Sequence, residues 1–233
     1  MLRLINSFYM RFKFILIAVF IDLAIIGQTQ SDSLHKVKYT PEYKFAEGIY
    51  PSFESLKNAT PIPKGRIISD YNYNDNNFYD DVLSQKKVYY YDNLGNRLEI
   101  QTNKIWGFSK NGLLYINVND GFYRITLIGS ICHFIAYQTY SNYGSSPYYN
   151  SYYSTYPYYS NTPSTSTEMK QYLLDFETGR IVPYDIDGLD ALLMADPELH
   201  DEFMALRPRK RKQLKFVYIR KFNERNPLYL IKK

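Results

Sequence analysis

Cysteine, histidine and tryptophan are scarce in this chain: Cys132 stands alone, Trp106 stands alone, and the histidines are His35, His133 and His200. A single cysteine excludes an intramolecular disulfide and any zinc site built on cysteine pairs. The histidines show no HExxH and no pairing at metal-ligand spacing. There is no P-loop, no GxGxxG and no serine in a GxSxG elbow. No cofactor is therefore expected, and no catalytic residue is named by a local motif. A Ser-His-Asp triad needs only to meet in space, so a hydrolase assembled from dispersed residues stays open as the alternative to a non-enzymatic binding protein. The net charge, +5 over 233 residues, is small, and nucleic acid is not an expected partner.

The scarce residues read as core. In "ICHFIAY" Cys132 shares a strand face with Phe134 and Ala136, which suits a small buried hydrophobe. No helix start or cation is visible beside it to make a thiolate. His133 lies on the other face with Ile131, Ile135 and Tyr137 and is expected to bond backbone. His200, on an acidic segment, is expected in solvent.

What the chain does have begins with an export pattern. Arg3, Arg11 and Lys13 precede the apolar run Phe14–Ile26, "FILIAVFIDLAII", and Gly27 and Thr29 follow as small residues two apart. This is the order of a signal peptide spanning residues 1–29, with cleavage before Gln30. Thirteen helical residues reach about 20 Å, short of a hydrocarbon core of about 30 Å. Asp22 weakens the run further as a membrane span. An uncleaved anchor is the alternative.

Residues 30–233 read as one α+β domain. Pro51 suits the first turn of a short helix carrying Phe53 and Leu56, and "RIISD" reads as a short strand. From 66 to 184 the chain is mainly β. "KVYYYDNLGNRLEIQ", "IWGFSKNGLLYINV", the Asp-Gly of "NVNDGFYRI" and "QYLLDFETGRIVPY" are hairpin signals. "FYRITLIGSICHFIAYQTY" reads as one long strand bent or bulged at Gly129–Ser130. Together they predict an antiparallel meander of about seven strands, an open sheet or a partial barrel. Residues 185–233 turn helical, with Asp185 and Asp196 as caps and Pro197 at a first helical position. "RKRKQLKFVYIRKFNERNP" predicts a helix with Leu214, Val217, Tyr218 and Phe222 on one face, although Leu214, Phe216 and Tyr218 also alternate as in a strand.

Three stretches carry functional hints. Asp70–Asp81, "DYNYNDNNFYDD", spaces Asp70, Asn72, Asn74 and Asp81 like a calcium loop, but Asp75 stands where glycine is required and no flanking helix is expected. It reads as a polar loop. Residues 141–167 carry no charge and are rich in Tyr, Ser and Thr. They read as a low-complexity loop within the β region. Its Tyr148, Tyr149, Tyr152, Tyr153, Tyr158 and Tyr159 could stack on sugar rings. Finally, Glu168–Leu206 holds ten acids and two bases, whereas Arg207–Lys233 holds eleven bases and one acid. Lys210, Arg211 and Lys212 are expected to face water and to complement Glu198, Asp201 and Glu202 or an external anion.

"GIYPSFESLKNATPI", "IWGFSKNGLLYI", "FYRITLIGSICHFIA", "YLLDFETGRI" and "RKRKQLKFVYIRKFNERNPLYL" together resemble a family of uncharacterised secreted proteins of Bacteroidota. The resemblance implies export in a Gram-negative bacterium, to the periplasm or the cell envelope, and brings no activity. The expectation is a non-enzymatic exported binding or scaffold protein of the envelope, with a glycan, an envelope protein or an anionic lipid surface as partner.

Overall fold

A computed structural model describes residues 36–142 and 164–232 of the chain. The expected leader, its cleavage site and the six candidate tyrosines lie outside the described residues. The fold is α+β, as the sequence predicts. Its centre is a seven-stranded antiparallel sheet in the order β11-β10-β9-β8-β7-β6-β2, open rather than closed into a barrel. The strands are β2 (Gly48–Tyr50), β6 (Gly107–Lys110), β7 (Leu113–Val118), β8 (Gly121–Leu127), β9 (Ile131–Asn142), β10 (Ser164–Asp175) and β11 (Ile181–Pro183).

The turns explain the meander. Asn111 and Gly112 both take positive φ, 54° and 77°, the pair of left-handed residues that a two-residue hairpin turn needs. Between β7 and β8 the left-handed pair is Asn119–Asp120, and Gly121 sits in the ladder opposite Val118. The turn thus falls one residue earlier than Asp-Gly suggests, because asparagine and aspartate also tolerate positive φ. The stretch read as one bent strand is a hairpin, β8–β9, turning at 128–130 with a register shift at Ile125 and Leu127. Gly129 is required there by close approach: a Cβ on it would lie 2.4 Å from the Asn223 side chain.

Two differences concern grouping. β4 (Lys87–Tyr91) and β5 (Arg97–Gln101) form a separate three-stranded sheet with β3 (Ile67–Ile68). A 3₁₀ turn at Thr102–Lys104 breaks the run between β5 and β6. β2 then takes the edge position beside β6. The ladder β9–β10 runs from Ile131↔Asp175 to Asn142↔Ser164, so both ends of the 141–167 segment are strand.

The central sheet is covered on both faces. Even-numbered residues of β7 and β9, among them Leu114, Ile116, Cys132, Phe134 and Ala136, bury one side together with Phe45, Tyr50 and Leu230. Trp106, just before β6, is half-buried at this core. Here Tyr43 OH donates to Ile231 O at 2.8 Å, and Tyr39 N–H to Leu228 O at 2.8 Å. Beside them β1 (Lys36–Lys38) pairs with β12 (Tyr229–Ile231). On the opposite face Phe108 stacks on its cross-strand neighbour Tyr115, centroids 4.6 Å apart. That end is covered by the small sheet and by helix α2 (Phe78–Leu83) through Phe78, Tyr79 and Val82. At the other end Ile131 and Leu173 bury against helices α3 (Ile186–Leu193), α4 (Pro197–Met204) and α5 (Pro208–Arg225).

Local chemistry accounts for the helix starts. Asp185 accepts from Gly188 N–H at 2.7 Å, and Asp196 from Leu199 N–H at 3.2 Å with Pro197 following. Helix α1 (Phe53–Lys57) is opened by a capping box of Ser52 and Ser55, so Pro51 stands just outside it. α5 is a helix, and it buries Tyr218, Ile219 and Phe222. Val217, expected on that face, is 46% exposed. A 3.6-residue repeat counted back from Phe222 selects 218 and 219, and 217 falls off the stripe.

Candidate functional site

The α5 helix carries the basic run, and its two ends are built differently. At the C-terminal end, Arg225 Nε lies 2.8 Å from Asp196 Oδ2 and its Nη2 lies 2.6 Å from Glu198 Oε2. Lys221 and the Tyr218 hydroxyl both donate to Glu202, at 2.6 and 2.9 Å. Asn223 donates to Ile131 O and accepts from Ile131 N–H, tying the helix to β9. Partial burial works against ionisation of Asp196, yet bonds from Leu199 N–H, Asn226 and Arg225 hold its carboxyl below the usual range. Lys221, with Tyr218, does the same for Glu202.

These pairs replace the expected ones. Glu198 and Glu202 are engaged by Arg225 and Lys221, and Asp201 by His200 at 3.2 Å. Glu198, in the first turn of α4, meets Arg225 in the last turn of α5. Each charge thereby sits at the end of its helix where the dipole favours it. Lys210, Arg211 and Lys212 stand at the opposite end of α5 and form no salt bridge among the described residues.

That end is bare. Arg207 occupies the cap position without a side-chain cap, Pro208 follows, and the first turn has no acid. Arg207, Arg209, Lys210 and Lys212 are exposed. Arg211 is half-buried; its Nη1 lies 3.4 Å from Met204 Sδ, and its Nε has no partner among the described residues. Cations here oppose the positive end of the helix dipole, an arrangement that an anion would relieve.

One turn further on, Lys215 donates to Tyr184 O at 2.7 Å and lies 3.9 Å over the Tyr184 ring. Burial holds its ammonium pKa below the ordinary value; Asp185 opposes this, and Lys212 adds to it. Lys215 borders an open cleft of about 560 Å³ with Lys170, Gln171, Tyr172, Tyr184 and Asp185. Sequence reasoning missed this cleft, since its strand and helix residues are far apart in the chain. The only trace was the helical spacing that sets Lys215 one turn after Arg211 and Lys212.

The remaining sequence candidates have structural duties. Cys132 is buried, its Sγ 3.2 Å from Gly129 O, and burial pushes its thiol up to about 12. His133 bonds a side chain rather than backbone, with Nε2 3.0 Å from Gln171 Oε1, and its ring meets Tyr184 and Phe216 edge to face. Burial lowers its pKa, against the Gln171 bond and together with Lys215. His200 is not simply solvated. It bridges Asp190 at 2.8 Å and Asp201 at 3.2 Å, and its hydrogen bond to Asp201, then that to Asp190, raises its pKa. In Asp70–Asp81, Asn72 and Asp75 accept from the N–H groups of Asn74 and Asn77. Helix α2 begins inside the stretch, at Phe78, contrary to the expectation of no adjoining helix. Among the described residues no three His, Cys, Asp or Glu side chains converge to hold a metal ion.

No protein-family model, curated protein or solved structure matches the chain.

Proposed function

We propose that this is an exported, non-enzymatic binding protein of the bacterial cell envelope, and that it meets an anionic lipid surface through the start of α5. The observation that carries the reading is the bare basic turn. Arg207–Lys212 holds five cations at the positive end of a helix, and the neighbouring acids are committed to Arg225, Lys221 and His200. Charges kept out of internal pairs remain available to an external anion. The basic, apolar and small-residue order of the first 29 residues supports export, as does the likeness to secreted proteins of Bacteroidota.

The test is binding of the purified protein to vesicles with and without anionic lipid, at low and high salt. The Lys210→Gln, Arg211→Gln, Lys212→Gln triple variant should bind anionic vesicles more weakly by about 1 kcal/mol per charge, with a shallower salt dependence. The exposed changes Lys210→Gln and Lys212→Gln should keep thermal stability within about 0.5 kcal/mol of the parent, as for surface substitutions in general, so any larger loss in the triple variant belongs to Arg211, which is half-buried against Met204. Equal binding by parent and variant, or no binding by the parent, sinks the proposal.

A further inference from the structure

β10 is twelve residues long and pairs with β9 throughout. On its other side β11 covers only Tyr172–Leu174. Tyr184 N–H still reaches Gln171 O at 2.9 Å, and Asp175 N–H reaches Arg180 O at 2.9 Å. Beyond Tyr184 the chain departs into α3, whose cap is Asp185. Those bonds set the parity of the ladder. Odd-numbered residues of β10 turn their N–H and C=O groups away from β9, and even-numbered ones turn them towards it. Thr165, Thr167 and Met169 therefore aim their backbone groups at an edge on which no strand lies among the described residues. Ser166–Met169 are exposed. Long, regular edges of this kind invite pairing; natural proteins blunt them with proline, bulges or charge. Ser164–Lys170 has neither proline nor bulge, and its charges are Glu168 and Lys170.

We propose that this edge pairs antiparallel with the same edge of a second copy of the chain, about a two-fold axis through Thr167. Register decides the occupant and the axis. With Thr167 opposite itself, Thr165 falls opposite Met169, and every outward N–H and C=O of the three residues finds a partner. Glu168 then faces Ser166 and Lys170 faces Ser164, so no charge opposes its like. Moving the axis to Glu168 sets two carboxylates against each other, which destabilises a cross-strand pair. It also drives Thr165 onto Gln171, whose carbonyl already holds Tyr184. An axis at Ser166 pairs Thr165 with Thr167 and leaves Met169 opposite no described residue. An axis at Met169 again collides with Tyr184. The edge is self-complementary in one register, and an isologous contact of this kind closes on itself as a dimer.

Sedimentation over a concentration series should show a reversible dimer. Thr167→Pro deletes an outward N–H that has no partner among the described residues, so self-association should weaken about tenfold or more while the melting temperature holds. Ser166→Pro removes an N–H given to β9 and should lower the melting temperature instead. Thr167→Cys places two thiols across the axis at about 5.5 Å between Cα atoms, within disulfide reach, and mild oxidation should yield a covalent dimer. Thr139→Cys, on β9, should yield none. The proposal is overturned by a monomer at all concentrations. It is equally overturned by a dimer that survives Thr167→Pro and resists cross-linking at 167. Slow hydrogen exchange at Thr165, Thr167 and Met169 in a monomer would also overturn it, since the edge would then be covered by the chain's own residues.

Discussion

The two ends of α5 carry the same sign of charge and are partnered differently. Near its C-terminus Lys221 and Arg225 each meet a carboxylate, and Asn223 is bonded to both backbone groups of Ile131. Near its N-terminus Lys210, Arg211 and Lys212 meet none among the described residues. Charge content along a helix therefore says little about its use. Direction decides it: α4 and α5 are joined by a short connection, Ala205–Arg207. The acids of α4 are thus presented to the far end of α5, and its near end is left over.

This contrast can be broken at the anchored end. Ile219 is fully buried among Leu189, Phe203 and Phe222. Ile219→Ala should cost about 2–5 kcal/mol, visible as a lower denaturant midpoint, whereas glutamine at the exposed Lys210 and Lys212 should leave that midpoint nearly in place. A milder cut is Asn223→Ala. It strands the N–H and C=O of Ile131 and should cost about 1–3 kcal/mol; a neutral result would mean that water replaces the amide.

The smallest effect sharpens the comparison through pH. His133, held below its ordinary pKa beneath Phe216 in the middle of α5, binds a proton more readily unfolded. Its contribution is present above about pH 6.5 and is lost as the solution is acidified below the unfolded value. His200, raised by Asp201 and Asp190, behaves in reverse. Its contribution is present below about pH 6.5 and is lost as pH climbs through the folded value. Unfolding curves across this range should flatten on the acid side in His133→Asn and on the alkaline side in His200→Gln. Identical profiles in parent and variants would remove both histidines from the pH response.

What could be read in advance follows the range of the interactions. Hairpins with adjacent left-handed residues and the caps Asp185 and Asp196 are local, and they appear in the residues that form them. The grouping of hairpins is not local. Nothing in "KVYYYDNLGNRLEIQ" says that its strands join Ile67–Ile68 rather than β6, because that choice is settled by which side chains fill the space beside Phe78 and Phe108. The β8–β9 turn was hidden for a related reason. Ile128–Ser130 is apolar and small, and the Asn223 side chain packed against Gly129 lies far away along the chain. Of the candidate site, the basic run was plain, but the partners of the acids were not, since they depend on the direction of α4 against α5. The cleft at Lys170 and Lys215 was invisible for the same reason as the sheet grouping.

The clasp of Tyr39 and Tyr43 onto Leu228 and Ile231 has a consequence in time. Tyr43 and Ile231 are 188 positions apart, while the central hairpins join neighbours. Closing so long a loop is entropically modest, because the cost grows only by about 0.6 kcal/mol per doubling. It cannot begin, however, before residue 231 has been synthesised. The meander can zip up as the chain emerges, yet one face of its core stays without Leu230 until that residue has been added. A chain made only as far as residue 229 therefore leaves apolar surface of that core uncovered.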